Sequence, residues 1–105
     1  MNAYVLVHES YSYYDNEYGT EIEIFETLDS AKVYFEMIKA NIIQEYLDHA
    51  ELSNINILLE NDYFYMDEEP TAQGDIYFFV DYEEYGNDRL RIYEKPIMKF
   101  NLEEC

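Results

Sequence analysis

The residues of this sequence that are able to do chemistry are carboxylates and tyrosines, and the two types occur side by side. The stretch YSYYDNEYG at residues 11–19 holds four tyrosines and two acids. Carboxylates pair with Arg and Lys side chains, and tyrosine rings pack on guanidinium planes at a low entropic cost. This pattern indicates a surface that binds a basic protein. In the alternative interpretation, several of the rings complete the hydrophobic core of a chain that has no tryptophan.

No catalytic or metal-binding motif stands out beside these acids. The three glycines are too scattered to form a phosphate-binding loop. His8 and His49 lie far apart and no cysteine pair exists, so the spacing of zinc ligands is missing. Residues 81–92 superficially follow a calcium loop, but Tyr85 stands at its fifth position and Ile92 at its last, where glutamate is required. We therefore predict no catalytic residues, no metal and no cofactor, and keep a small metal-dependent enzyme as the least favoured class.

The charge of the chain limits its partners. Asp and Glu number 24 against 6 Lys and Arg, which gives a formal net charge of −18. Such a chain repels the phosphates of nucleic acids and the headgroups of anionic lipids, so we predict no direct nucleic-acid binding and no membrane association. Met1 is followed by no basic and apolar leader, and no apolar run approaches the roughly 20 residues that span a bilayer. We therefore expect a cytoplasmic protein.

The composition nevertheless predicts a folded chain. Disordered acidic chains are poor in aromatic residues, whereas this chain is 49% hydrophobic and 18% aromatic, with only three glycines and two prolines. Its 105 residues suffice for one hydrophobic core but not for two. We predict a single compact acidic domain over residues 1–105.

Hydrophobic periodicity predicts one long helix and several strands. Residues 27–52 carry an apolar stripe with helical spacing, and Thr27 is suited to cap the helix. Strands are predicted at 3–7, 20–26, 54–59, 63–66, 75–82 and 89–95, with a turn at 68–74. The predicted fold class is α+β, with a largely antiparallel β-sheet of about five strands, the order ββαβββ, and one long amphipathic helix packed on one face.

The first two strands are predicted to form a hairpin with a long loop. Residues 20–26 alternate between acids and apolar residues, as a strand does when one of its faces is buried and the other is in solvent. The alternation predicts that Ile22 and Ile24 are buried and that Glu21 and Glu23 face solvent.

The acids are interpreted together as one negative surface. Alternate residues on a strand share a face, so Glu21 with Glu23, and Asp81 with Glu83, are predicted to project in common directions about 7 Å apart. Acids predicted in the neighbouring turns are Asp15, Glu17, Asp67, Glu68, Glu69, Glu84 and Asp88. The predicted partner-binding residues are Tyr13, Tyr14, Asp15, Glu17, Tyr18, Glu21, Glu23, Asp67, Glu68, Glu69, Asp81, Glu83 and Glu84.

A basic groove that normally holds nucleic acid is the partner that fits such a surface. In charge and length over the whole chain, the sequence resembles the small acidic inhibitors encoded by phages and mobile elements, the anti-restriction and anti-CRISPR proteins, some of which imitate nucleic acid. The resemblance implies a bacterial cytoplasmic inhibitor that blocks access of DNA or RNA to a nuclease or CRISPR effector. The leading hypothesis is therefore a nucleic-acid mimic. The alternative is a generic acidic interaction module or structural subunit, and the sequence leaves a homodimer open.

Overall fold

The computed structural model describes residues 2–70 and 76–96 and shows one antiparallel sheet with a long helix packed on it. The elements are β1 (Asn2–Ser12), β2 (Glu17–Phe25), α1 (Leu28–Ala50), α2 (Ile55–Leu59), β3 (Phe64–Pro70), β4 (Ile76–Tyr82) and β5 (Gly86–Pro96). The strands lie in the order β2-β1-β5-β4-β3. The predicted α+β fold with the order ββαβββ is confirmed, and α2 is an additional short helix.

Helix α1 begins at the cap that the sequence supplies and ends at a residue in the left-handed region. Thr27 is extended, with φ −127° and ψ 150°, and its Oγ1 accepts the backbone N–H of Ser30 at 3.2 Å. Glu51 closes the helix in the left-handed region at φ 58°, and its N–H donates to the carbonyl of Asp48 at 3.2 Å. The helix predicted over 27–52 is confirmed to within two residues at each end. Neither described helix combines the length and the apolar character needed to cross a bilayer.

The core forms between α1 and one face of the sheet, which we call the helix side. Its buried side chains are Ala31, Phe35, Ile42, Tyr46 and Leu47 of α1, Leu58 of α2, Leu6 of β1, Phe64 of β3, Phe78, Val80 and Tyr82 of β4, and Leu90 and Ile92 of β5. The register places all of these strand residues on the same face, because residues two apart on a strand share a face. We call the opposite face, which neither described helix covers, the open face.

The register of β2 shows that the predicted burial of Ile22 and Ile24 was wrong. Leu6 of the core pairs with Glu23, so the glutamates lie on the helix side and the two isoleucines on the open face, 59% and 70% exposed. Glu21 and Glu23 are exposed, as predicted, although α1 also contacts β2, where the ring centroid of Phe25 lies 5.4 Å from that of Tyr34. Strand alternation separates two faces but does not identify the buried one, which depends on how β2 pairs with β1.

Residues 54–59, predicted as a strand, instead form a capped short helix. Asn54 is extended and its side chain accepts the backbone N–H of Asn56 at 2.9 Å. Leu58 is fully buried in the core that α1 forms with the sheet. A short apolar run is compatible with either type of element, and here the asparagine provides the N-cap that a helix requires.

The predicted positions of several acids relative to the strands were wrong. Those predicted in turns that lie in strands are Glu17 (β2), Asp67, Glu68 and Glu69 (β3) and Asp88 (β5). Asp88 is only 7% exposed. Conversely, β4 ends at Tyr82, so Glu83 stands in a turn and does not alternate with Asp81 along a strand.

The connections between strands also differ from the prediction. Residues 13–16 form a short turn between β1 and β2 in place of the long loop expected. Asn16 there has φ 52°, a left-handed conformation that asparagine tolerates better than most residues. Of the turn predicted at 68–74, residues 68–70 complete β3, and 71–74 lie outside the described residues.

Gly86, the first residue of β5, allows β1 to pass close by. A Cβ at this position would overlap the backbone carbonyl of Tyr11, whereas a Cβ at Gly19 would meet only the Ser10 hydroxyl, at 3.0 Å. Backbone atoms move less readily than a rotatable side chain. We therefore expect Gly86→Ala to lower the free energy of unfolding by about 2 kcal/mol, and Gly19→Ala by less than about 1 kcal/mol. Urea denaturation of both variants measures this, and equal losses would contradict it.

Candidate binding surface

Two turns at one end of the sheet are joined by a hydrogen bond. The Tyr13 N–H donates to the carbonyl of Tyr85 at 3.1 Å, which connects the turn at 13–16 to the β4–β5 turn at 83–85. We call these two turns the sheet tip. The Tyr13 hydroxyl also donates to Asp81 Oδ1 at 2.6 Å, and this hydrogen bond raises the pKa of Tyr13. Tyr13 is therefore a fixed structural part of the tip.

Aromatic rings at the tip pack against His49, near the end of α1. The imidazole of His49 stacks on Tyr85 with ring centroids 4.4 Å apart, and its centroid lies 6.1 Å from that of Tyr82 and 6.2 Å from that of Tyr14. Tyr14 is nevertheless 70% exposed, so most of its ring faces solvent. The exposed acids of the tip are Asp15, Glu83 and Glu84. The structure therefore brings the exposed ring of Tyr14, which contacts His49, together with three carboxylates.

Three predicted glutamates form a row along the edge strand β2. Glu17, Glu21 and Glu23 all lie on the helix side of this strand and are exposed. Glu17, Glu21 and Glu45 of α1 line a common cavity of about 380 Å³ between the helix and the β1–β2 hairpin. We define the acidic surface as the β2 row and the acids of the tip: Glu17, Glu21, Glu23, Asp15, Glu83 and Glu84.

A hydrogen-bonded network around a buried carboxylate lines the same cavity. His8 Nε2 donates to Asp88 Oδ1 at 2.7 Å, and the Tyr46 hydroxyl donates to Asp88 Oδ2 at 2.8 Å. The three side chains come from β1, β5 and α1. The network therefore connects the helix to two of the three interior strands of the sheet.

The carboxylates around His8 determine its titration. The hydrogen bond to Asp88 raises the pKa of His8, burial of the ring opposes this, and the charges of Glu21 and Glu45 add to the rise. Burial also raises the pKa of Glu45, as does the charge of Asp88, while His8 lowers it. Because the folded-state pKa of His8 is raised, the stabilisation from this pair is complete below the unfolded value of about 6.5. It is lost as the pH rises through the folded-state value.

The acidic run at 67–69 does not join the acidic surface. β3 and β2 are opposite edges of the sheet, so the run is separated from the glutamate row. Glu68 Oε1 lies 2.6 Å from Lys39 Nζ in an ion pair. Asp67 is half-buried on the open face, and the side chain of Glu69 lies outside the described part of the chain.

Two other predicted residues border the tip without extending the acidic surface. Asp81 is half-buried on the open face, where it accepts the hydrogen bond from Tyr13. Tyr18 pairs with Tyr11 near the start of β2 and is 64% exposed. Asp81 therefore supports the structure of the tip, and Tyr18 presents a second exposed ring beside it.

The exposed carboxylates of the described residues are confined to one side of the molecule and the tip. Each exposed Asp or Glu among the described residues lies on α1, next to α2, in a connecting turn, or on the helix side of a strand. The acids described on the open face are Glu9, Asp67 and Asp81, all half-buried. Of the chain's 6 basic residues, three are described on the open face: Arg89, Arg91 and Lys95.

Sequence reasoning missed the residues of the buried network. It considered His8 only in the search for zinc ligands, placed Asp88 in a turn and did not single out Glu45. Asp88 shares a face with Leu90 and Ile92, so extending the predicted strand toward residue 86 would have placed it on the buried face. A carboxylate on a buried face requires partners, and that requirement is the signal that the sequence contained.

The segment at 81–92 that resembles a calcium loop forms the β4–β5 hairpin, running from the end of β4 through the tip into β5. Within residues 2–70 and 76–96, no group of three or more His, Cys, Asp or Glu side chains is arranged to hold a metal ion.

No protein-family model matches this chain, and neither the curated proteins nor the solved structures gave a match. The functional proposal therefore rests on the charge distribution and the contacts of the described residues.

Proposed function

We propose that this chain is an acidic inhibitor that imitates the charge of DNA or RNA. It occupies the basic nucleic-acid-binding groove of a defence protein of the nuclease or CRISPR-effector type, in the cytoplasm of a bacterial host. The observation that carries the proposal is the confinement of exposed carboxylates to the helix side and the sheet tip. An even scatter of these acids would favour a generic acidic module instead. The source of the chain in this proposal is a phage or mobile element.

The glutamate row suits the side chains that line such a groove. Glu21 and Glu23 are about 7 Å apart, since each pair of strand residues advances by that distance. Each carboxylate is able to form an ion pair with an Arg or Lys side chain that otherwise binds a phosphate. Arg binds a carboxylate through two parallel hydrogen bonds. Because β2 is an edge of the described sheet, none of the other described strands stands between the row and the wall of a groove.

The exposed ring of Tyr14 supplies a contact of a different type. A guanidinium group packs on the face of a tyrosine ring when it lies within about 6 Å of the ring centre. The contact with His49 restricts the ring of Tyr14 before a partner arrives, which reduces the entropy lost on binding. We therefore expect Tyr14 to slow dissociation once the carboxylates have brought the two proteins together.

Competition with nucleic acid tests the proposed function. The tagged chain captures its partner from a bacterial lysate at low salt, and the purified complex is titrated with duplex DNA and, separately, with an RNA oligonucleotide. We expect one of them to displace the chain. We also expect the association rate to fall steeply as salt is added, because opposite charges steer the encounter. A partner that binds the chain and nucleic acid together, without mutual weakening, refutes the proposal.

The cavity beside α1 favours a second candidate, a small enzyme or ligand-binding protein. Its volume of about 380 Å³ is within the range of small-molecule sites, and His8 and Asp88 place an imidazole beside a buried carboxylate. His8→Gln separates the two functions in the competition assay. An inhibitor that acts through the acidic surface keeps its affinity in this variant, whereas a function of the cavity is lost.

A further inference from the structure

An apolar strip crosses part of the open face. Ile22 pairs with Val7, and Ile24 pairs with Val5, which in turn pairs with Tyr93 on β5. The two isoleucines are 59% and 70% exposed, and neither described helix covers this side of the sheet. Contiguous apolar side chains on an exposed face mark a contact surface more often than single exposed residues do.

Aromatic rings and basic side chains occupy the neighbouring strands of the open face. The guanidinium of Arg89 lies 5.4 Å from the ring centre of Phe79, and that of Arg91 lies 5.1 Å from the ring centre of Tyr77. The bases described on this face are Arg89, Arg91 and Lys95, and the acids are Glu9, Asp67 and Asp81. Its described side chains are therefore balanced in charge, although the chain as a whole carries −18.

We propose that the open face binds the open face of a second copy of this chain. Two copies that approach through the helix side or the tip bring exposed carboxylates together, and like charges opposed at an interface cost several kcal/mol. Open face against open face, the copies meet where the described side chains are balanced in charge, and they bury the two apolar strips. The contact is isologous, with the same patch on both copies, and uses the face-to-face packing of two sheets about 10 Å apart.

The area of the open face is sufficient for such a contact. β1 and β5 have 11 residues each, β2 has 9, and β3 and β4 have 7 each. At about 3.3 Å per residue and about 4.8 Å between strands, the sheet presents roughly 700 Å² per copy. A dimer would bury roughly 1,400 Å² in total, which is within the range of specific interfaces.

Nucleic acid is another class of occupant that arginines and aromatic rings would suit. The net charge of −18 opposes it at ordinary salt concentrations. The aliphatic side chains of Ile22, Ile24, Val5 and Val7 also have no aromatic face on which a base would stack. A second copy uses both parts of the open face and is the better match.

Sedimentation equilibrium of the full chain tests the proposal. We expect a particle of twice the 12.7 kDa chain mass, and a tighter dimer at higher salt, because salt screens the repulsion between two acidic copies. Ile24→Lys puts two like charges into the symmetric contact and is expected to raise the dissociation constant at least about 100-fold. The matched control is Val33→Lys on α1, since Val33 is 72% exposed against 70% for Ile24.

The control variant is expected to keep its dissociation constant within about threefold of the original. Ile24→Thr, which retains a β-branched side chain suited to a strand, is expected to weaken the dimer by about tenfold. A chain that stays monomeric overturns the proposal, whether or not it binds a single-stranded DNA probe. A dimer that survives Ile24→Lys overturns it as well. Added salt weakens the proposed inhibitory contact and strengthens this one, so the two interfaces are distinguishable.

Discussion

Replacing Glu17, Glu21 and Glu23 together by lysine is expected to abolish binding to the partner protein and leave the fold intact. All three side chains are exposed on an edge strand and lie outside the core. Losing one exposed ion pair costs about 0–1 kcal/mol, whereas like charges opposed at an interface cost several kcal/mol. We expect the dissociation constant to rise at least about 100-fold, and most of this loss of affinity to come from a slower association rate. Stopped-flow binding at fixed salt measures both quantities.

A matched triple variant separates the location of the charge from its total. Glu36→Lys, Glu60→Lys and Glu94→Lys change the net charge of −18 by the same amount, but lie on α1, at the end of α2 and at the far end of β5. Electrostatic interactions in solution are screened beyond about 8–10 Å, so this variant is expected to slow association only modestly. Equal losses in the two triple variants would show that total charge, and not the acidic surface, governs binding.

Asp88→Ala is expected to lower the free energy of unfolding by about 3 kcal/mol. The substitution leaves the His8 imidazole and the Tyr46 hydroxyl without their common acceptor at a site where Asp88 is 7% exposed. Removing one partner of a buried ion pair costs about 3–5 kcal/mol. The lower end applies here because the His8 side chain keeps 18% of its exposure to water. Urea denaturation at neutral pH measures the loss.

Asp81→Ala is the control for this substitution. Asp81 accepts one hydrogen bond, from the exposed Tyr13 hydroxyl, so its removal is expected to cost about 0.5–1 kcal/mol.

The pH dependence of stability gives a second test of the pair formed by His8 and Asp88. Because the pKa of His8 is raised, the stability of the original chain is expected to fall as the pH rises from about 6.5 through that raised value. In Asp88→Asn this fall is expected to shrink, and an unchanged fall would show that Asp88 does not hold the imidazolium.

Much of the fold follows from local sequence signals. Thr27 caps α1 through its side chain, and the apolar stripe of the helix extends from Leu28 to Leu47, so both the helix and its buried face were predictable. The strands at 76–82 and 86–96 were predicted with errors at their ends, where propensity carries the least information. The short run at 54–59 was mispredicted because four to six apolar residues fit a strand or a buried helical turn equally well.

The candidate site was predictable in composition but not in arrangement. The sequence identified acids and tyrosines as the residue types of the binding surface. Tyr14, Glu21 and Glu23 are exposed, as such a surface requires. It did not separate the run at 67–69 from the others, because sequence distance does not say that β3 and β2 are opposite edges of the sheet. Strand order depends on pairing between residues that lie far apart along the chain.

The sequence by itself determined the net charge of −18, the α+β class, the long helix and the alternation of side chains along β2. Only the tertiary structure decided which face of β2 lies against the helix, and therefore that Ile22 and Ile24 stand on an open face. It also decided that Asp88 is buried between His8 and Tyr46. The physical reason is the same in both cases. Net charge follows from composition, and periodicity from residues close together along the chain. Burial depends instead on the pairing of β1 with β2 and β5, and on the packing of α1 over the sheet that these strands form.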